Sequence, residues 1–235
     1  MVTAAVLAGG RGMRMGASEP KQFIELASVP IIIRSINAML SSSMVDSCIV
    51  CTAPEYIEKT QGLIDKFIKT DKKIYVTGGG AERGETLLKI LEFMKEQGIL
   101  DSIIVTHDAV RPFVTRRIIE ENIAAVKKYG ACGTCVPSVD TVLISSDGAF
   151  IDSVPPRGGV FRAQTPQSFN AAELYRLIKA TPAADFAAMT DGCSVYIYHG
   201  KRVYMVRGEE YNIKITFPED IRRAENIAAE FFQNN

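Results

Sequence analysis

Three stretches of the 235-residue chain bring together residue types that can act on a phosphorylated ligand. The first runs Ala8-Gly9-Gly10-Arg11-Gly12-Met13-Arg14-Met15-Gly16 and continues to Pro20-Lys21-Gln22. Glycines admit positive φ and bring the backbone close to a ligand, so successive N–H groups can point at anionic oxygens. Arg11, Arg14 and Lys21 add mobile positive charge. Two better-known loops are excluded. Met15 stands where a dinucleotide fingerprint needs its third glycine, and Lys21 lies between Pro20 and Gln22 rather than in a Gly-Lys-Ser/Thr run. With no nucleophile nearby, the loop suits stabilising charge on a reacting phosphoryl group, not carrying a covalent intermediate.

The second stretch, Gly78-Gly79-Gly80-Ala81-Glu82-Arg83-Gly84-Glu85-Thr86, is another glycine loop opening a helix and can close over a base or phosphates. The third, Thr106-His107-Asp108-Ala109-Val110-Arg111-Pro112, offers an acid able to hold a divalent cation and an arginine able to orient it. Mg²⁺ draws on one or two carboxylates plus phosphate oxygens, so Asp108 beside a nucleotide meets its needs. His107 reads as a packed or hydrogen-bonded histidine and not a base, and His199 falls in a turn. Transfer to an ionised phosphate needs no general base.

Alternating elements must position these stretches. Val2–Leu7 is a short apolar run, and Ile32, Ile36, Met39 and Leu40 share one helical face in 30–40. Strands are expected at 45–53, 73–77, 102–106 and 131–137, with helices at about 56–68, 82–95 and 115–129. Near-continuously apolar strands such as Ile103-Ile104-Val105 argue for an α/β, doubly wound, mostly parallel sheet covered on both faces. Ligands in such sheets sit beyond the carboxyl ends of the strands, which gathers the three stretches on one rim. From Val139 the rhythm changes: 141–151 reads as a hairpin around Ser146-Asp147-Gly148, and an arm of this size needs a surface, pointing to a homodimer. Beyond it come a helix at 170–180, a β pair at 195–198 and 202–206, a short strand at 212–216, and a C-terminal helix from Pro218 with Ile221, Ala224, Ile227, Ala228 and Phe231 on its packing face.

Length and composition favour one domain over 1–235, with the arm as an insertion at about 138–160. Basic and acidic residues balance at 27 each, so no global field attracts nucleic acid or an anionic membrane. No apolar run approaches the roughly 20 residues of a membrane span, and Met1-Val2-Thr3 enters a strand directly, so a cytoplasmic protein is expected. The five cysteines include two Cys-x-x-Cys pairs, at 48/51 and 132/135. Both pairs lie in β-patterned runs, where residues i and i+3 point to opposite faces, so buried thiols are preferred to a zinc site.

Taken together, Leu7-Ala8-Gly9-Gly10-x-Gly12-x-Arg14-Met15-Gly16 with Pro20-Lys21-Gln22-Phe23, Thr106–Phe113, Gln164-Thr165-Pro166-Gln167-Ser168-Phe169, Thr190-Asp191 and Asn212-Ile213-Lys214-Ile215-Thr216 resemble the polyol-phosphate cytidylyltransferases. The motifs follow the family order over nearly the whole chain. The resemblance implies a Rossmann-like nucleotidyltransferase fold dimerised through a β arm, with CTP and a polyol phosphate as substrates and Mg²⁺ as cofactor. It assigns Leu7, Ala8, Gly9, Gly10 and Gly12 with Gly80, Ala81, Glu82, Arg83, Gly84, Glu85 and Thr86 to CTP. Arg14 and Lys21 fall to the α-phosphate charge, Asp108 to the metal, and Asp140, Thr141, Arg157, Thr165 and Lys214 to the polyol phosphate, Arg157 and Lys214 also counting as catalytic.

Within that family Leu7-Ala8-Gly9-Gly10, Val110, Phe113 and Val206–Asn212 look closer to the D-ribitol-5-phosphate branch, which makes CDP-ribitol for teichoic acid or related cell-surface polymers. The 2-C-methyl-D-erythritol 4-phosphate branch of isoprenoid synthesis usually carries an acid directly before the Asn-Ile-Lys motif, where this chain has Tyr211. Ala81 and Gly192-Cys193 depart from the family's usual residues. A non-catalytic nucleotide-sensing module and a nicotinamide oxidoreductase are the rival classes. The retained Arg14, Lys21, Arg157 and Lys214 weigh against the first, and Met15 against the second.

Overall fold

The computed structural model describes residues 1–9, 20–80 and 82–234, without the side chains of 233 and 234. The sequence-expected positions Gly10, Gly12, Arg14 and Ala81 lie outside the described residues.

A seven-stranded sheet organises the chain, built from β1 (Val2–Ala8), β4 (Ser47–Thr52), β5 (Lys73–Gly78), β6 (Ile103–Asp108), β7 (Ala131–Pro137), β8 (Phe161–Asn170) and β9 (Tyr204–Arg207). Two-residue strands β2 (Glu25–Leu26) and β3 (Val29–Pro30) form a separate hairpin. Spatial order in the main sheet is β5-β4-β1-β6-β8-β7-β9. Strands β5, β4, β1 and β6 are mutually parallel, β8 is antiparallel to β6 and β7, and β9 is parallel to β7. Strand β1 therefore sits where the winding reverses, with β4 on one side and β6 on the other, and the crevice beyond its carboxyl end is where such sheets bind ligands.

Helices cover both faces, which is why β1 and β4 are almost wholly buried rather than alternating. Helices α1 (Ile31–Leu40), α2 (Ile57–Phe67) and α4 (Arg116–Tyr129) pack Ile32, Ile36, Ile64, Ile118 and Ile123 against Val6, Val50 and Val105. On the opposite face α3 (Arg83–Glu96) and α5 (Ala171–Ala180) set Leu87, Ile90, Leu91 and Leu174 against Ala5, Ile49 and Ile104. Cys48 belongs to the first layer and Cys51 to the second, so this pair does face opposite sides of its strand. Burial pushes the Cys48, Cys51 and Cys132 thiols up to about 12, and they behave as small core hydrophobes. A third apolar layer docks α8 (Pro218–Asn234) on Leu26, Val110, Phe113 and Ile215, with Phe113 and Phe231 edge-to-face at 5.4 Å.

The parallel half matches expectation, with element ends shifted by a few residues at most. The second half departs from it in five places. The 141–151 hairpin is absent as a ladder: one isolated bridge, Ile144 to Ser153, closes this segment. A β pair was expected at 195–206, but Gly192–Tyr198 is helix α7, begun by Asp191, whose carboxylate accepts the Ser194 N–H at 2.8 Å. Only Tyr204–Arg207 is a strand there, paired with β7. The 212–216 segment is irregular chain rather than a strand. The ten-residue β8 carries no apolar alternation to announce it, because Gln164, Gln167 and Ser168 are buried polar groups, each held by at least one hydrogen bond. A short helix α6 (Ala183–Ala188) lies between α5 and α7.

Candidate active site

The carboxyl ends of β1 and β6 are adjacent, Leu7 opposite Asp108, and the Leu7 carbonyl accepts the Ala109 N–H at 3.0 Å. Ala8 is buried beside Thr52, and its carbonyl accepts from the buried amide of Gln22 at 2.9 Å. That bond ties the short 3₁₀ turn Lys21–Phe23 to the end of β1 and so holds Lys21 beside the crevice. Gly9 faces the second glycine loop: a Cβ there would sit 3.2 Å from Thr86 Oγ1. Thr86 closes that loop onto α3, accepting the Gly80 N–H at 3.1 Å and donating to the Glu82 carbonyl at 3.0 Å. Gly80 has no room for a side chain because Glu85 lies over it, and Glu85 pairs with Lys89 at 3.3 Å. Gly84 is covered by the Phe186 ring of α6. Gly9 and Gly80, one described glycine from each stretch, thus meet at one rim.

Asp108 is the electrostatic centre of that rim. Its Oδ1 pairs with Arg83 from α3, and its Oδ2 with Lys214 at 3.0 Å and Arg111 at 3.4 Å. Burial alone would raise this carboxyl, but Arg83, Lys214 and Arg111 outweigh it and hold it far below the usual carboxylate range. Arg111, itself buried, also donates to the Asn212 carbonyl at 2.8 Å.

His107 beside it is fully buried, and burial lowers it to about 4. Its Nε2 lies 3.0 Å from the Arg111 carbonyl, which can only accept, so the proton is on Nε2. Nδ1 must then accept from Thr165 Oγ1 at 3.0 Å, while Thr165 Oγ1 accepts the Asp108 N–H at 3.1 Å. The Thr165 hydroxyl proton is therefore committed to His107. Thr165 can still accept from a ligand hydroxyl but has no proton to give a phosphate.

The other sequence-expected positions separate. Arg157 and Thr141 lie in the exposed 138–160 segment and bond each other at 3.2 Å; no described hydrogen bond or ion pair joins either to Asp108 or Lys214. Asp140 is exposed nearby, its carbonyl accepting from Ser138. Gln22 and Gln164 were not singled out as site residues by sequence, and their signal is a long polar side chain inside an otherwise motif-dense stretch; Arg111, read there as the arginine beside the acid, does pair with Asp108.

A metal-ligand role for Asp108 does not fit this arrangement. Both of its oxygens face cations, and among the described residues no group of three His, Cys, Asp or Glu side chains could hold an ion. A divalent ion would have to come with the phosphate oxygens of the nucleotide.

A doubly wound sheet whose switch-point rim brings Gly9 and Gly80 near a buried carboxylate ringed by three cations defines an α/β nucleotidyltransferase-like protein. The chain belongs to the IspD family, 2-C-methyl-D-erythritol 4-phosphate cytidylyltransferase, whose model matches residues 2–230, and its class is therefore a CTP-using nucleotidyltransferase. It is similar to the solved 4-diphosphocytidyl-2C-methyl-D-erythritol synthase from Anaerococcus prevotii, with 26% identity, a TM-score of 0.83, and 98% of this chain and 96% of that one covered. The 2-C-methyl-D-erythritol 4-phosphate cytidylyltransferase of Francisella tularensis shares the fold at 23% identity, a TM-score of 0.78 and 95% and 97% coverage. The Thermus thermophilus enzyme of the same name does so at 24%, 0.72 and 97% and 100%. These relatives carry the methylerythritol name, not the ribitol one suggested by the sequence details. No helix among the described residues is long and apolar enough to cross a membrane.

Proposed function

We propose that the chain transfers a cytidylyl group from CTP to the phosphate of 2-C-methyl-D-erythritol 4-phosphate. The acceptor phosphate oxygen attacks the α-phosphorus, the bond to the β-phosphate oxygen breaks, and pyrophosphate leaves. The convergence of Arg83, Arg111 and Lys214 on Asp108, at the end of the strand beside the first glycine loop, carries this reading. In-line displacement at phosphorus needs positioning and charge stabilisation more than covalent chemistry, and the attacking phosphate is already ionised.

In this reading Leu7 to Gly10 and Gly12 hold the triphosphate and base together with Gly80 to Thr86, and Arg14 and Lys21 neutralise charge at the α-phosphate. Lys214 meets the acceptor phosphate, and Thr165 accepts from a polyol hydroxyl. The chain acts as one nucleotidyltransferase domain and as a homodimer, with Asp140, Thr141 and Arg157 reaching a neighbour's site. The exposed Val139, Leu143, Phe150, Ile151 and Val154 of that segment support the dimer.

D-Ribitol 5-phosphate is the second reading, favoured by one feature. Tyr211, at the position directly before Asn212, packs its ring on Phe231 at 5.5 Å and bonds Glu209 through its hydroxyl, so no acid is presented there. Pyrophosphate release, followed with CTP and each polyol phosphate separately, decides the matter. Turnover of the ribitol substrate alone overturns the methylerythritol reading, and turnover of neither overturns both.

A further inference from the structure

Lys214 reaches Asp108 from a stretch with no regular structure, between the end of β9 at Arg207 and the start of α8 at Pro218. A ten-residue irregular segment, 208–217, has many alternative paths, and ordering each residue costs about 1–2 kcal/mol of backbone entropy. Specific bonds must therefore hold it. On its far side the Ile215 N–H donates to the Val110 carbonyl at 2.9 Å. Its near side is held by the Gly208 N–H on the Cys135 carbonyl at 2.8 Å and by one buried side chain from β8. Gln164 Nε2 donates to the Glu209 carbonyl at 2.8 Å, and Gln164 Oε1 accepts from the Glu209 N–H at 3.3 Å and from Asn212 Nδ2 at 3.2 Å.

The carboxamide thus pairs with both backbone groups of Glu209, as a neighbouring strand would. Gly208 makes the approach possible: a Cβ there would run into Gln164 Oε1 and stand 2.9 Å from Thr134 Cγ2. Asn212 in turn donates to the Thr165 carbonyl at 2.9 Å and receives Arg111 on its own carbonyl. Arg117 also bonds Glu209, at 2.8 Å, but that pair is partly exposed and worth little.

We propose that Gln164 is a positioning residue of this enzyme: it fixes the Gly208–Asn212 turn and thereby sets Lys214 against Asp108, where it meets the acceptor phosphate. The inference rests on the function proposed above for the identity of the ligand, but the geometry it asserts belongs to the free chain.

Two readouts test it on the full chain, with Gln164→Ala and Gly208→Ala as independent ways of breaking the same clamp. Gln164→Glu keeps the side chain's shape but sets a buried carboxylate oxygen against the Glu209 carbonyl, so it is a third way of breaking the clamp without shortening the side chain. The first readout is ligand-free acetylation by acetic anhydride, resolved by mass spectrometry. Lys214 should react on the order of tenfold faster in both alanine variants, with Lys95 unchanged, as expected for losing one clamp of this strength. The second is kinetic: acceptor KM should rise on the order of tenfold while CTP KM holds, and Gln164→Ala should add little to Lys214→Ala because both act through one side chain. Gln164→Glu should move both readouts in the same direction as Gln164→Ala and at least as far.

Unchanged Lys214 reactivity, equal rises in both KM values, or additive losses in the double variant would overturn the proposal. A wild-type chain that turns over neither polyol phosphate would sink the functional reading, while the acetylation result would still decide the positioning.

Discussion

The rim around Asp108 and the 138–160 segment are built on opposite terms. At the rim the buried polar groups are partnered from within the chain: Asp108 by Arg83, Arg111 and Lys214, and the neutral His107 by Thr165 and the Arg111 carbonyl. In the 138–160 segment the backbone makes one bridge, and Phe150 and Ile151 stand 76% and 62% exposed. The rim is preorganised in the single chain, as charge stabilisation of a transition state requires. The segment is left with exposed apolar side chains that the fold of the single chain does not cover. On the function proposed above, the electrostatics would be assembled by folding and the last site residues supplied by association.

Five experiments press on that contrast, from the largest expected effect downward. Lys21→Ala should cut turnover by on the order of 10³, about 4 kcal/mol of barrier, while CTP binding measured by calorimetry weakens much less. Equal losses in both would assign Lys21 to ground-state binding. Next, Asp108→Asn leaves Arg83, Arg111 and Lys214 facing one another around a buried site, and should cost about 3 kcal/mol in urea denaturation. A neutral result would mean that the rim is not held by this carboxylate.

The third test is pH. His107 is lowered to about 4 in the fold against about 6.5 when unfolded, so between those values the unfolded chain binds the extra proton and stability falls as pH falls. From pH 6.5 to pH 5 the loss should be on the order of 2 kcal/mol. The Asp108 contribution has its own window, present above the ordinary carboxylate range and lost only below it, so it does not mask this slope. A flat stability profile over pH 5–6.5 would remove His107 from the rim's architecture.

The smallest effect on folding and the sharpest on assembly belongs to the exposed segment. Phe150→Ser with Ile151→Ser should change unfolding free energy by less than about 0.5 kcal/mol per subunit yet lower the mass measured by light scattering. If sites are shared between subunits, mixing Arg157→Ala and Lys21→Ala proteins should restore roughly a quarter of wild-type turnover through hybrid dimers with one intact site. A wild-type monomer, or no recovery on mixing, would break the contrast.

Local patterns carried the first half of the molecule. Apolar runs flanked by turn residues marked β1, β4, β5, β6 and β7, helical spacing marked α1 to α4, and the glycine clusters with Asp108 marked the rim, because each signal lies within a few neighbouring residues. Where burial involved polar groups the signal failed. Strand β8 hides its pattern because Gln164, Gln167 and Ser168 are inside and hydrogen-bonded, and α7 reads as β because Val195–Tyr198 is rich in branched and aromatic side chains but follows the Asp191 cap.

The site divides along the same line. Sequence alone pointed to a glycine-rich rim at the strand ends and named Arg83, Asp108, Arg111 and Lys214 among its candidate residues. That Asp108 spends both oxygens on Arg83, Arg111 and Lys214, rather than offering them to a metal, was decided only by the tertiary structure. Residues 83, 108, 111 and 214 meet through the order of strands in the sheet and the path of the 208–217 turn, and sequence spacing does not encode distances set by packing between remote segments.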